Sequence, residues 1–114
     1  MITLWHNPRC SNSRTALKLL EERGTPVTVR KYLEDQPSRA ELDHVAHKLG
    51  LPPSAFIRTG EKLYKSLGLD QVDDENTLLD AMAENPILIE RPIAIHHDKA
   101  AIGRPPEAVL GVIC

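Results

Sequence analysis

Cys10 is the residue in this chain best placed for covalent chemistry: it follows His6-Asn7-Pro8-Arg9 and precedes Ser11-Asn12-Ser13-Arg14. The apolar run from Ile2 to Trp5 reads as a buried strand, and Ser11 to Arg23 reads as a helix, so the thiol falls at a helix N-terminus. Such an end presents unpaired N–H groups and about half a positive charge, which favour a thiolate or a bound oxyanion. Arg9 and Arg14 flank the thiol, His6 lies upstream across a proline-containing loop, and Asn12 and Ser13 can donate hydrogen bonds to the sulfur or its substrate. A lowered thiol pKa and a nucleophilic role are expected; the alternative is an ordinary strand-end cysteine.

A tetrahedral oxyanion is matched by guanidinium groups arriving from several elements. Arg58, Arg91 and Arg104 each stand at an element boundary beside Gly or Pro, in Arg58-Thr59-Gly60, Arg91-Pro92 and Gly103-Arg104-Pro105. Spacing alone does not bring them together, and each taken singly reads as a solvated surface charge. Cys114 is the last residue given and is expected to be a frayed thiol rather than a partner for Cys10. His44 and His47 share a helix face and His96-His97 are adjacent, but no further ligands follow at zinc-site spacing, so no metal site is expected.

The elements that must position these groups follow from pattern. Ala16, Leu17 and Leu20 recur at helical spacing before a Gly24 stop, and Val27 and Val29 alternate in a second strand, completing a β-α-β unit with two parallel strands. Ser38 and Glu41 form a capping box ahead of Leu42, Val45, Ala46 and Leu49, with Gly50 and Pro52-Pro53 ending that helix. Shorter helical stretches are expected over Ser54 to Ile57 and Glu61 to Leu67, and a further helix starts near Asp73-Asp74, carries Leu78, Leu79 and Met82, and stops at Asn85-Pro86. Arg91 to His96 reads as a strand, His97-Asp98-Lys99 as a turn, Ala100 to Ile102 as its partner, and Pro105-Pro106 as the start of a last helix with Val109, Leu110, Val112 and Ile113 mostly inward. The fold class is α/β with a mixed four-stranded sheet: 1–35 and 86–114 supply the core, and 36–85 an all-helical insertion.

The chain's 114 residues suffice for one domain, and 41% hydrophobic with 26% charged residues is a globular composition. A formal charge of −2 and 4% aromatics argue against a nucleic-acid partner, which would call for a basic face or stacking platforms. The longest large apolar run is Ile87-Leu88-Ile89, against roughly 20 residues for a membrane span. With no signal-peptide pattern at Met1 onward and two cysteines only, a cytoplasmic location and no membrane partner are expected.

The stretch His6-Asn7-Pro8-Arg9-Cys10-Ser11-Asn12-Ser13-Arg14 resembles the active-site loop of the ArsC family, the glutaredoxin-linked arsenate reductases. Tyr32-Leu33-Glu34 with Pro37-Ser38, Glu90-Arg91-Pro92-Ile93 and Gly103-Arg104-Pro105-Pro106-Glu107 match that family in the same order, over essentially the whole chain. The best-known members carry Gly-Thr where this chain has Ser11-Asn12. The resemblance implies a thioredoxin-like fold with a helical insertion and a cis Arg91–Pro92 bond. It makes Cys10 the nucleophile, His6 the loop histidine that tunes it, Ser13 the loop hydroxyl, and Arg58, Arg91 and Arg104 the oxyanion-binding arginines; Asn12, read from its place beside the thiol, is the further substrate-binding candidate.

The activity so implied is reduction of arsenate to arsenite, with no bound cofactor, glutathione as co-substrate, glutaredoxin as partner and a monomeric chain. No second cysteine lies in the loop, so no disulfide can form beside Cys10 and glutathione is expected to supply the resolving thiol. Two rivals share the fold: a glutathione-dependent thiol/disulfide reductase, which has little use for three arginines, and a polymerase-binding regulator of the Spx type, whose C-x-x-C switch is missing because position 13 is serine. A phosphatase-like arsenate reductase is rejected, since only three residues separate Cys10 from Arg14, too few for that family's phosphate cradle.

Overall fold

The computed structural model describes residues 2–113, so Cys114 lies outside the described residues. Its contacts divide the chain into a sheet unit, up to Asp35 and from Arg91 onward, and a helical unit, Gln36–Glu90.

In the sheet unit, β1 (Ile2–Trp5), β2 (Val27–Arg30), β3 (Ile93–His96) and β4 (Lys99–Ile102) form one sheet in the order β2-β1-β3-β4. β1 and β2 are parallel, as a crossover helix requires, and β3 and β4 antiparallel, as a hairpin requires; β1–β3 is antiparallel as well. Helix α1 (Ser11–Glu22) supplies the crossover; the chain then leaves it through Gly24, whose φ of +70° suits a residue without a Cβ. Ile2 and Leu4 of β1, Ala94 of β3, Ala16 and Leu20 of α1, and Val109 and Val112 form a core from which water is excluded.

Val109 and Val112 lie on the last helix, Pro106–Val112, which is 3-10 rather than α; its threefold repeat stacks residues three apart on the covered side, and Leu110 and Ile113 are only half-buried. The hairpin is also tighter than the sequence suggested. His96 pairs with Lys99, which puts Lys99 in β4 and leaves His97-Asp98 as a two-residue loop with His97 at φ 57°.

In the helical unit, Ser38 caps α2 (Arg39–Leu49): its hydroxyl accepts from the Glu41 amide at 3.1 Å, and Glu41 Oε1 accepts from the Ser38 amide at 3.0 Å. A 3-10 turn (Pro53–Ala55), α3 (Lys62–Ser66), a second 3-10 turn (Leu69–Gln71) and α4 (Glu75–Glu84) follow. Leu42 and Val45 of α2 and Leu78, Leu79 and Met82 of α4 are buried, and Arg39 ties the two helices together through Asp80 and Asn76. The unit extends past the expected boundary at 85, because residues 86–90 are held to it by backbone bonds: Ile57 bridges Ile89, and the Glu90 amide donates to the Phe56 carbonyl at 2.9 Å. No helix among the described residues is long and apolar enough to cross a membrane.

Gly103 is buried beside a proline ring: a Cβ there would lie 2.6 Å from Pro92 Cγ and 3.1 Å from Val109 Cγ1, both on buried residues. Gly103→Ala is therefore expected to cost about 1–3 kcal/mol by overpacking, whereas Gly60→Ala, which meets nothing within 4 Å, should stay close to the parent. Urea denaturation of both variants checks this; a parent-like Gly103→Ala protein would contradict it.

Candidate active site

The loop between β1 and α1 is held by its own backbone. The His6 amide donates to the Arg30 carbonyl at 2.8 Å, carrying the β1–β2 pairing one step beyond the strand. The Asn7 carbonyl accepts from the Cys10 amide and Asn7 Oδ1 from the Arg9 amide, each at 3.0 Å, folding the loop into a tight turn. Arg14 Nη1 reaches back to the Pro8 carbonyl at 2.8 Å. These contacts deliver Cys10, half-buried, to the N-cap of α1 in an extended conformation.

Burial raises the Cys10 pKa, but the opposing influences outweigh it and the thiol is held below its ordinary value. The Ser13 amide favours the anion most, then hydrogen bonding and charge from Arg91, then the Asn12 amide. No full cap hydrogen bond closes on the sulfur, so these amides act as oriented N–H dipoles at the helix end. Arg104 adds a second guanidinium: Nη2 lies 3.9 Å from Sγ, while Nε donates to the Arg91 carbonyl at 3.0 Å. The Arg91–Pro92 bond is cis, as the family resemblance implied, and Arg104–Pro105 is cis as well, which no feature of the sequence signalled.

Behind the sulfur lies a buried polar pair. Ser13 is fully buried; its Oγ accepts from the Asn7 amide at 3.0 Å and stands 2.6 Å from His6 Nδ1. Burial first, then the positive charges of Lys31 and Arg14, hold His6 below the ordinary imidazole value, so the ring is neutral at neutral pH. In either tautomer of the neutral ring, Nδ1 and the Ser13 hydroxyl share a hydrogen bond. The expected role of Ser13 changes accordingly: its hydroxyl is spent on His6 and the loop, and its amide is what faces the sulfur.

Cys10, Asn12, Ser13, His6, Arg91 and Arg104 thus gather in the sheet unit. Arg58 belongs to the helical unit, half-buried, where its guanidinium is held by two carboxylates, Glu61 and Glu90. Sequence reasoning missed both of them; Glu61 was within reach as the i+3 neighbour of Arg58, whereas nothing marked Glu90 as a partner from 32 residues away. His96 has a structural use, with Nδ1 2.8 Å from the Val112 carbonyl.

A thiol whose anion is favoured by a helix N-terminus and by Arg91, with Arg104 Nη2 3.9 Å away, is suited to nucleophilic attack on an anionic electrophile. The ArsC family profile matches residues 5–112, and the chain belongs to that family. An arsenate reductase of Neisseria meningitidis serogroup A is 48% identical over 114 residues, spanning 98% of this chain and 97% of its own. One from Haemophilus influenzae is 46% identical, with 98% of each chain covered. The solved structure of an arsenate reductase from Vibrio cholerae superposes with a TM-score of 0.94 at 46% identity, covering 98% of this chain and 97% of that one. The fold is accordingly thioredoxin-like, with a mixed four-stranded sheet and a helical insertion.

Because His6 is held below its ordinary value, the unfolded chain takes up a proton first as pH falls. Its contribution to stability is then lost as pH drops through the ordinary imidazole range, about 6.5, toward the folded value. Urea denaturation across this range should show a slope that His6→Gln flattens; an identical slope in the variant would contradict a buried neutral ring.

Proposed function

We propose that the protein reduces arsenate to arsenite through the Cys10 thiolate, with glutathione and glutaredoxin as its reductants. The observation that carries this reading is the sulfur at the α1 N-terminus, favoured as an anion by Arg91 and lying 3.9 Å from Arg104 Nη2. Family membership and relatives named arsenate reductase at 46–48% identity support the choice of substrate.

In this mechanism Arg91 and Arg104, with Asn12, hold the oxyanion and offset the charge that builds on its oxygens. The thiolate attacks arsenic, one arsenate oxygen leaves as water after protonation, and a Cys10 S–As(V) bond forms. A glutathione thiolate then attacks the Cys10 sulfur. The S–As bond breaks with its electron pair passing to arsenic, which leaves as arsenite, and a Cys10–glutathione disulfide remains. A glutaredoxin thiolate removes the glutathione by exchange and restores Cys10. His6 and Ser13 act on the loop that carries the thiol. The chemistry uses no bound cofactor or metal, and we assign it to a cytoplasmic monomer.

Turnover of arsenate with glutathione and glutaredoxin should be abolished in Cys10→Ser and should stop in the parent when either reductant is withheld. Activity retained in Cys10→Ser would remove the thiol from the mechanism. Equal turnover with thioredoxin alone would remove the glutathione route.

A further inference from the structure

Asn7 is the residue on which the loop bearing the sulfur closes. It is buried, and three of its polar groups are engaged. The backbone carbonyl accepts from the Cys10 amide and Oδ1 from the Arg9 amide, each at 3.0 Å, while the Asn7 amide donates to Ser13 Oγ at 3.0 Å. Asparagine followed by proline suits this turn: the carboxamide reaches the backbone two residues on, and Pro8 presets the next φ.

Those contacts reach both sides of the helix cap. On one side they fix Arg9 and Cys10, and Cys10 enters α1 with φ −94° and ψ 123°, the extended backbone that lets an N-cap side chain face the N–H groups of the second and third helical residues. Those residues are Asn12 and Ser13, whose amides both favour the Cys10 anion, and Ser13 is the one that Asn7 holds from the other side. The residue type at position 7 matters too. Aspartate would offer the Arg9 amide the same acceptor, but its charge would lie in the loop that carries the sulfur, and a like charge disfavours a thiolate.

We propose that Asn7 is a positioning residue for the Cys10 sulfur: it ties the turn before the cap to the first turn of α1 through a neutral acceptor, so that the sulfur faces the Asn12 and Ser13 amides with no negative charge added to its loop. Asn7 acts through Cys10 and needs no contact with substrate. The inference rests on the reading of Cys10 as the nucleophile.

The test reads the thiol without turnover, by ultraviolet titration of the thiolate in a Cys114→Ser protein at low and high salt. Asn7→Ala removes Oδ1 and leaves the backbone bonds in place. The acid dissociation constant of Cys10 should then fall roughly two- to fivefold, the range that an interaction at a helix end covers, and by the same factor at both salt concentrations. Asn7→Asp keeps the acceptor and adds the charge. Its midpoint should rise at low salt and return toward the parent as salt screens the carboxylate. The aspartate retains the turn, so this arm stays decisive should Asn7→Ala not fold. A parent-like midpoint in folded Asn7→Ala, or in Asn7→Asp at low salt, would overturn the proposal. Failure of the parent to reduce arsenate would instead overturn the reading of the reaction, a separate result from the position of the thiol midpoint.

Discussion

One sulfur atom at the start of a helix organises the sheet unit. Burial disfavours a thiolate there, but the Ser13 amide, the donor and charge of Arg91 and the Asn12 amide together outweigh that cost and lower the thiol pKa. The helix end contributes dipoles and the arginine contributes full charge; neither is mobile solvent, so neither must reorganise when charge moves from sulfur to an incoming group. Arg104 extends the field outward, its guanidinium bridging the Arg91 carbonyl and the sulfur.

Holding that sulfur still is the task of the loop and the core beneath it. The Ser13 hydroxyl binds the loop amide of Asn7 and the ring of His6 at once, so a buried neutral pair fixes the turn that presents Cys10. Beneath it, Ala16 and Leu20 of α1 pack on Ile2 and Leu4 of β1, which sets where the helix begins. Pro92 and Gly103 meet on the far side, where the Gly103 amide donates to the Pro92 carbonyl at 2.8 Å and leaves no room for a Cβ. The segments that carry Arg91 and Arg104 are therefore held in register by a residue that has no side chain.

Much of this was legible in the residue pattern, and the exceptions have physical causes. The period of Ala16, Leu17 and Leu20, the Gly24 stop, the Ser38–Glu41 capping box and the alternation in β2 are local signals, and each element formed close to where they pointed. Cys10 at a helix N-cap was legible for the same reason. By pattern alone Lys99 reads as part of the turn, because turn length depends on cross-strand register, which His96–Lys99 pairing decides. By pattern alone 86–90 reads with the sheet unit, because its bridge to Ile57 spans 32 residues, from 57 to 89, and leaves no periodic trace. The Ser13 hydroxyl turned out to face inward because helix phase, rather than residue type, decides which first-turn side chain is buried. Glu90 as the partner of Arg58 was invisible for the same reason as the bridge that brings it there.

Fixed donors and a guanidinium favour the Cys10 sulfur as an anion and hold its pKa below the ordinary thiol value. Ultraviolet titration of the thiolate in a Cys114→Ser protein, with Cys10→Ser as the blank, measures this directly. The account requires a midpoint below the ordinary thiol value of about 8.5, moving upward in Arg91→Ala. A midpoint at or above that value, unmoved by the loss of Arg91, would contradict it.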